Sequence, residues 1–413
     1  MDVTSRYSIS ARRMSRSIIR ELLKLTNKKG LVSFAGGLPY PGTFPAEELA
    51  TITEGVLKEE PGLALQYSPT EGLPSLRENL RSFLEKRGFN CSTKELIVTS
   101  ASQQSLDLVA KIFLDRGDLV VTENPSYLGA MSAFRSYGAR FLAIEMDERG
   151  MRTAFLRERL AELKKTAGTG NEYYQNMPKF IYTIPDFQNP TGITMSMERR
   201  QELMEIAEEF DMIIVEDVPY RWLRYSGEEY PMLSAMDRQN RVIGLFTFSK
   251  ILSPGMRLGW LTADERIMDK LVQAKQATDL CTSAFSQSIA ERFISGGQID
   301  VRIKRNIDIY RKKRDLMVGE LKKNLEGLKG VEINEPSGGL FLWISLPEDI
   351  DTDELFIEAI DRNVAYVIGS AFFPNGGGHN TMRLNFSYPS EEEIVTGISR
   401  LSSLIRDRME GRG

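Results

Sequence analysis

The feature that most constrains this chain is a repeated alternation of short β-branched runs with helical patterns. Apolar runs at 95–99, 119–122, 141–145, 180–184, 212–216, 242–247 and 258–262 read as strands, and amphipathic stretches at 103–114, 127–137, 154–165 and 196–210 lie between most of them. Strands that alternate with helices build a largely parallel sheet covered on both faces. The stretch 248–257 between the last two strands is too short for a helical crossover, so one antiparallel strand is expected there. After Asp264 a helical region runs to about Gly327. Strands near 330–334, 341–346 and 382–386 follow, with helices near 352–362 and 391–408. The expected fold is therefore α/β: a mostly parallel seven-stranded sheet between helices, plus a smaller α+β domain.

The segment 31–75 is punctuated by Gly and Pro, including Gly36-Gly37-Leu38-Pro39 and Pro69, Gly72 and Pro74. It reads as an extended arm with a short helix near 46–58. Such an arm lies over something else, often another subunit. Residues 18–25 carry the pattern of a helix leading into the fold. The expected division is 1–50 for the N-terminal arm, 51–300 for the large domain and 301–413 for the C-terminal small domain.

Composition narrows the chemistry. Among 413 residues, Lys plus Arg number 53 and Asp plus Glu 57, for a net charge of −4. That balance argues against non-specific binding to nucleic acid or to an anionic membrane. No apolar run approaches the roughly 18 residues of a membrane span, and 1–20 has no apolar core of a secretory signal. Two cysteines, Cys91 and Cys281, imply no disulfide framework, so a cytoplasmic location is expected. One histidine, His379, cannot build a His-rich zinc site, and no metal is expected. It sits in a Gly-rich loop and reads as a surface residue. The chemistry must rest on Lys, Asp, Tyr, Arg and Ser.

In an open α/β sheet ligands bind beyond the carboxyl ends of the strands. Five strand ends carry Ser100-Ala101-Ser102-Gln103-Gln104, Glu123-Asn124-Pro125-Ser126-Tyr127, Pro185-Asp186-Phe187-Gln188-Asn189-Pro190-Thr191-Gly192, Glu216-Asp217-Val218-Pro219-Tyr220 and Thr247-Phe248-Ser249-Lys250. Ser100 to Gln104 opens a helix, which makes an anion site or a plain N-cap. Lys250 is either an exposed strand-end lysine or, with Arg257 seven residues on, an amine of lowered pKa suited to imine formation. Arg257 suits a phosphate or an ordinary surface ion pair. Asp217 could pair with a buried cation or cap a turn.

Taken together, Asn189-Pro190-Thr191-Gly192, Asp217-Val218-Pro219-Tyr220 and Ser249-Lys250 with Arg257 resemble the fold-type-I, pyridoxal-phosphate-dependent aminotransferases of class I/II over nearly the whole chain. The stretches 34–39, 66–72 and 102–104 resemble the branch holding 2-aminoadipate, kynurenine and broad aromatic aminotransferases.

The resemblance implies residue roles. Lys250 would hold pyridoxal 5′-phosphate as a Schiff base and later shuttle a proton. Asp217 would keep the ring nitrogen protonated. Tyr220 and Asn189 would bond the 3′ oxygen, and Tyr127 would stack on the ring. Ser102, Gln103, Thr247, Ser249 and Arg257 would cradle the phosphate. Tyr67 would reach the phosphate of a neighbouring subunit in a homodimer with shared active sites. Arg383, assisted by Asn189, would clamp the substrate carboxylate, and Gly37 and Arg20 would border its side chain. Ala101 departs from the glycine frequent in this branch, which bears on the phosphate loop's geometry.

The implied reaction moves an amino group between a 2-aminoadipate, aromatic or kynurenine-like amino acid and 2-oxoglutarate by a ping-pong route. Two rival readings remain. One is the effector domain of a MocR-type regulator, although only about thirty residues precede the arm, too few for a DNA-binding module of ordinary domain size. The other is a lyase or decarboxylase reaction on the same fold.

Overall fold

A computed structural model describes residues 3–14 and 30–411. The helix expected over 18–25, and Arg20 with it, lie outside the described residues. In chain order the strands are β1 (Val32–Ser33), β2 (Leu96–Thr99), β3 (Leu119–Asn124), β4 (Arg140–Asp147), β5 (Gly150–Met151), β6 (Phe180–Thr183) and β7 (Ile213–Asp217). They continue with β8 (Val242–Thr247), β9 (Gly259–Thr262), β10 (Glu332–Ile333), β11 (Phe341–Ser345), β12 (Val364–Ala365), β13 (Val367–Ile368) and β14 (Thr381–Asn385).

The large sheet has eight strands in the order β2-β9-β8-β7-β6-β3-β4-β5. Strands β4, β3, β6, β7 and β8 pair in parallel, and β9 runs antiparallel to both β8 and β2, as the short 248–257 connection requires. All seven expected strands are present. The eighth, β5, is a two-residue return that pairs Gly150 with Asp147, too short to produce an apolar run. Strands β2, β6, β8 and β9 are buried at every position, which is why they read as unbroken apolar stretches rather than as alternations.

The helices Ala101–Phe113, Leu128–Ser136, Thr153–Lys164 and Met197–Glu209 cover the sheet close to the positions expected. The helix Pro74–Glu85 was not expected, because the Gly/Pro punctuation before it suggested more arm. Its proline stands in the first turn, where no N–H is needed, and its buried face is Leu76, Leu80, Phe83 and Leu84.

The C-terminal unit has its own antiparallel sheet, β10-β11-β14-β13, and a 27-residue helix, Gln298–Asn324, packed against Glu391–Met409. The two-residue strands β12 and β13 also escaped the sequence pattern. Strand β12 fastens the arm by pairing in parallel with β1, Val32 opposite Val364. The arm then continues across the sheet: Phe34 N–H donates to Ala365 O, and Asn385 N–H donates to Phe34 O, both at 2.8 Å. Residues 35–37 are thereby carried to the carboxyl ends of the large sheet. Among the described residues no helix is long and apolar enough to cross a membrane.

Candidate active site

A cavity of about 480 Å³ opens at the carboxyl ends of the large sheet, lined by Ala101, Ser102, Gln103, Tyr127, Ile184, Asp217, Pro219, Tyr220, Thr247, Ser249, Lys250, Pro254 and Arg257. Nine of these are residues the sequence singled out, drawn from four strand ends and the loop before β9. The lysine and the acid share one cavity on one side of the sheet.

Asp217 ends β7 and is buried. The Tyr182 hydroxyl donates to its Oδ2 at 2.8 Å, while Oδ1 is buried with no partner. Burial pushes the carboxyl up to about 7, against the hydrogen bond from Tyr182. A buried acceptor left unmade is costly, so this oxygen suits a donor brought by a ligand, such as the N–H of a protonated heterocycle.

The Lys250 Nζ donates to Gly37 O at 2.8 Å. Its amine is lowered to about 8, first by burial and then by Arg383 and Arg257. The sequence pointed to burial in a crevice and to Arg257; the structure adds Arg383, whose influence exceeds that of Arg257. Tyr220 is buried, and burial holds its phenol far above the ordinary value, so the hydroxyl stays protonated and able to donate. Asn189 Nδ2 donates to that hydroxyl at 3.3 Å. Burial likewise raises Tyr127 to about 12.

Arg383 lies on β14, buried, outside the cavity's lining but joined to it through Asn189. Its Nη1 donates to Asn189 Oδ1 at 2.8 Å and its Nη2 to Ala35 O at 3.0 Å. The guanidinium lies 4.1 Å from the Phe341 ring centroid, and its Nε is buried without a partner. Burial lowers Arg383 to about 10. No carboxylate among the described residues forms an ion pair with it, and a desolvated cation without a counter-charge is poised for an anionic ligand.

The opposite end of the cavity is a cup. It starts at the N-terminus of the helix Ala101–Phe113, whose free N–H groups favour anions. Ala101 has φ +64° and Arg257 φ +50°, both left-handed, a strain of about 1–3 kcal/mol each. The turn at Ala101 packs so tightly on β9 that a Cβ on Gly259 would lie 2.6 Å from Phe246 O and 3.0 Å from the Ala101 backbone. Thr247 Oγ1 donates to Ser249 Oγ at 2.9 Å. The Gln103 side chain donates to Gly129 O at 3.1 Å. Lys250 and Arg257 line the cavity and Arg383 adjoins it, a set of cations that suits a phosphate at one end and a carboxylate at the other.

Tyr182 was not singled out in the sequence, and Glu123 and Gln188 stood in the strand-end clusters without an assigned role. Tyr182 lies inside an apolar strand. Glu123 is buried at the end of β3, where it accepts from Thr183 Oγ1 at 2.5 Å and Gln188 Nε2 at 3.0 Å. Gln188 Oε1 in turn accepts from the Thr191 N–H at 2.9 Å, which orders the turn carrying Asn189. For Tyr182, a polar residue within an apolar strand was the available signal. Tyr67, by contrast, is 77% exposed and does not line this cavity. His379 is exposed, with Nδ1 3.0 Å from Asp353 Oδ2.

Residues 41–401 match the family model described as aminotransferase class I and II. The aromatic-amino-acid aminotransferase 1 of Thermococcus litoralis is 44% identical over 411 residues, 99% of this chain and 96% of that protein. A solved Pyrococcus horikoshii kynurenine aminotransferase superposes with a TM-score of 0.93 at 42% identity, covering 98% of both chains. The α-aminoadipate aminotransferase of Thermus thermophilus, solved with a phosphopyridoxyl-leucine adduct, gives a TM-score of 0.89 at 38% identity, covering 100% of both chains.

Proposed function

The chain belongs to the class I and II aminotransferases and is a pyridoxal-phosphate-dependent transaminase, and from that premise we propose that it exchanges amino groups between 2-oxoglutarate and aromatic, kynurenine-like or 2-aminoadipate side chains. The observation that carries the site assignment is the unpartnered Asp217 Oδ1 in the same cavity as an amine lowered to about 8. Bound there, the cofactor supplies an electron sink for charge developing at the substrate Cα.

The residues divide the remaining work. Lys250 Nζ reaches its neutral, nucleophilic form at a lower pH than an ordinary lysine, so it can bind an aldehyde and later carry a proton. Asp217 Oδ1 would accept from the nitrogen of a protonated ring, and a positive charge there would favour the carboxyl's ionised form. The Tyr220 hydroxyl and Asn189 Nδ2 would donate to the ring oxygen, and Tyr127 would cover the ring face. Ser102, Gln103, Thr247, Ser249 and Arg257 hold the phosphate. Arg383 fixes the substrate carboxylate beside Asn189, and Gly37 borders the side chain.

Arg20 rests on the sequence alone. Its proposed task is to let one pocket accept acidic and apolar side chains, and Arg20→Ala is expected to depress activity with 2-aminoadipate more than with phenylalanine. Equal loss on both removes it from selectivity. Tyr67, exposed beside Leu63 and Leu65, supports a homodimer in which Tyr67 reaches the other copy's phosphate. The pairing of β1 with β12 supports grouping the arm with the C-terminal unit, with the large domain over 51–300. Two free cysteines support a cytoplasmic location.

The regulator and lyase readings are not favoured by relatives named as aminotransferases. The decisive experiment is an absorbance titration of the yellow holoenzyme with a panel of amino acids. Glutamate, 2-aminoadipate and aromatic donors are expected to bleach the visible band, and 2-oxoglutarate to restore it. Release of ammonia or carbon dioxide instead would overturn transamination.

A further inference from the structure

Behind the cup, outside the cavity's lining, lies a polar cluster built on a buried lysine and a carboxylate that reaches the surface. The Lys275 side chain is wholly buried, in the helix Glu265–Gln276. Its Nζ donates to Asp279 Oδ1 at 2.7 Å, to Asp279 Oδ2 at 3.0 Å and to Gln104 Oε1 at 3.1 Å. Gln104 Nε2 donates to Asp279 Oδ2 at 2.6 Å. The same Gln104 Oε1 accepts the Ser100 N–H at 2.8 Å, and the Ser100 hydroxyl donates to Asp279 Oδ2 at 3.3 Å. The three side chains thus close a ring of hydrogen bonds on Ser100, the residue before the left-handed Ala101.

An ammonium withdrawn from most of its water is expensive unless its hydrogen bonds are made. Here they are made to groups that grip one backbone N–H. A non-glycine residue in the left-handed region persists only when its surroundings over-determine it. From the front, Ala101 meets β9 at Gly259; from behind, Ser100 is held by Gln104, Lys275 and Asp279.

We propose that Lys275, Asp279 and Gln104 are positioning residues for the phosphate cup: they hold Ser100 so that Ala101 keeps its left-handed turn and the following N–H groups face the ligand phosphate. The apparent affinity of a site scales with the fraction of molecules already in the competent conformation. Losing the brace therefore weakens binding through the phosphate alone, not through the ring or the lysine. This rests on the cup being the phosphate site; were that wrong, the unaltered protein itself would bind pyridoxal phosphate no better than pyridoxal.

The test compares apoprotein affinities for pyridoxal phosphate and phosphate-free pyridoxal, by fluorescence quenching, in the unaltered protein, Lys275→Met and Asp279→Asn. The expected result is a loss of about tenfold or more for pyridoxal phosphate with pyridoxal changed less than about twofold. Ala101→Gly added to Lys275→Met is expected to recover part of that loss, because glycine needs no brace to hold φ +64°. Equal losses for both ligands, unchanged affinity for both, or no recovery with glycine would overturn the proposal. If Lys275→Met does not yield folded protein, as judged by its thermal transition, Gln104→Met carries the same comparison, with the same outcomes deciding.

Discussion

Tyr182 and Asp217 are joined by a single hydrogen bond, the tyrosine hydroxyl on Oδ2 at 2.8 Å, and that bond decides which oxygen of Asp217 is left for the cavity. Tyr182 is wholly buried and meets Phe134 edge-on, so its ring has little freedom to follow a carboxylate that turns. Burial holds its phenol far above the ordinary value, so the hydroxyl remains a donor throughout the working pH range.

Removing that donor in Tyr182→Phe frees Asp217 to rotate and withdraws the hydrogen bond that opposes its protonation. A hydrogen bond to a charged group is worth about 1.5–3 kcal/mol, so kcat is expected to fall roughly ten- to hundredfold, with KM for the amino acid little changed. The accompanying sign is a pH dependence of the bound cofactor's visible spectrum displaced from that of the unaltered enzyme. Unaltered kcat and an unaltered spectral titration would show that Asp217 needs no second support.

Lys250 gives a pH dependence of known direction. Its folded value, about 8, lies below the ordinary 10.5, so between these limits the unfolded chain binds more protons than the folded apoprotein. Stability from this group therefore rises with pH across that window. Lys250→Met removes the buried charge. The variant apoprotein is expected to melt higher than the unaltered apoprotein at pH 7, and the gap to narrow as pH climbs from about 8 towards 10.5. A gap that stays constant across the window would mean that the amine is not desolvated.

Why some of this was readable from residues alone, and some not, follows from where the signals sit. Lys250, Asp217, Asn189 and Tyr220 stand at strand ends, where an apolar run stops and a polar group interrupts it. The antiparallel β9 was readable because ten residues cannot make a helical crossover. Tyr182 was not, because a strand buried on both faces has no alternation to betray which side chain faces a site; Glu123 stood in a strand-end cluster, but nothing in the sequence showed that it holds Gln188. The Lys275–Asp279–Gln104 ring joins residues more than 170 positions apart, and each alone resembles a surface residue. Two-residue strands such as β12 and β13 carry no period at all. The left-handed Ala101 could be suspected only as a departure from glycine; its sign came from the backbone.

Arg383 holds Asn189 and Ala35 with separate nitrogens, a fork that lysine cannot copy. In Arg383→Lys one charge-assisted bond to a substrate carboxylate is lost, about 1.5–3 kcal/mol, so kcat/KM for an α-amino acid is expected to fall roughly ten- to hundredfold. An amine of the same side chain without the carboxylate reacts poorly with both enzymes, and its rate is expected to change less than about threefold. Parallel losses on both substrates would move Arg383 from carboxylate recognition to general support of the site.

The turn that carries Asn189 begins at Asp186, a buried carboxylate shared by three guanidiniums: Arg200 at 2.9 Å, Arg221 at 2.8 Å and Arg224 at 3.0 Å. Burial alone would raise its carboxyl, but the arginines outweigh burial and hold it below the ordinary value. Its stabilising contribution is thus present above the ordinary carboxylate value of 3.8 and is lost as pH falls through the lower folded value. Asp186→Asn keeps the shape and deletes the charge, leaving buried cations short of a partner, a change that costs about 3–5 kcal/mol. Urea unfolding near neutral pH is expected to show that loss, and what folds should turn over slowly because Asn189 sits three residues away. Arg224→Met removes the most exposed of the three and leaves the other two pairs intact, so its cost is expected to stay below about 1.5 kcal/mol. If the two variants unfold at the same urea concentration, the cluster is not what holds this turn in place.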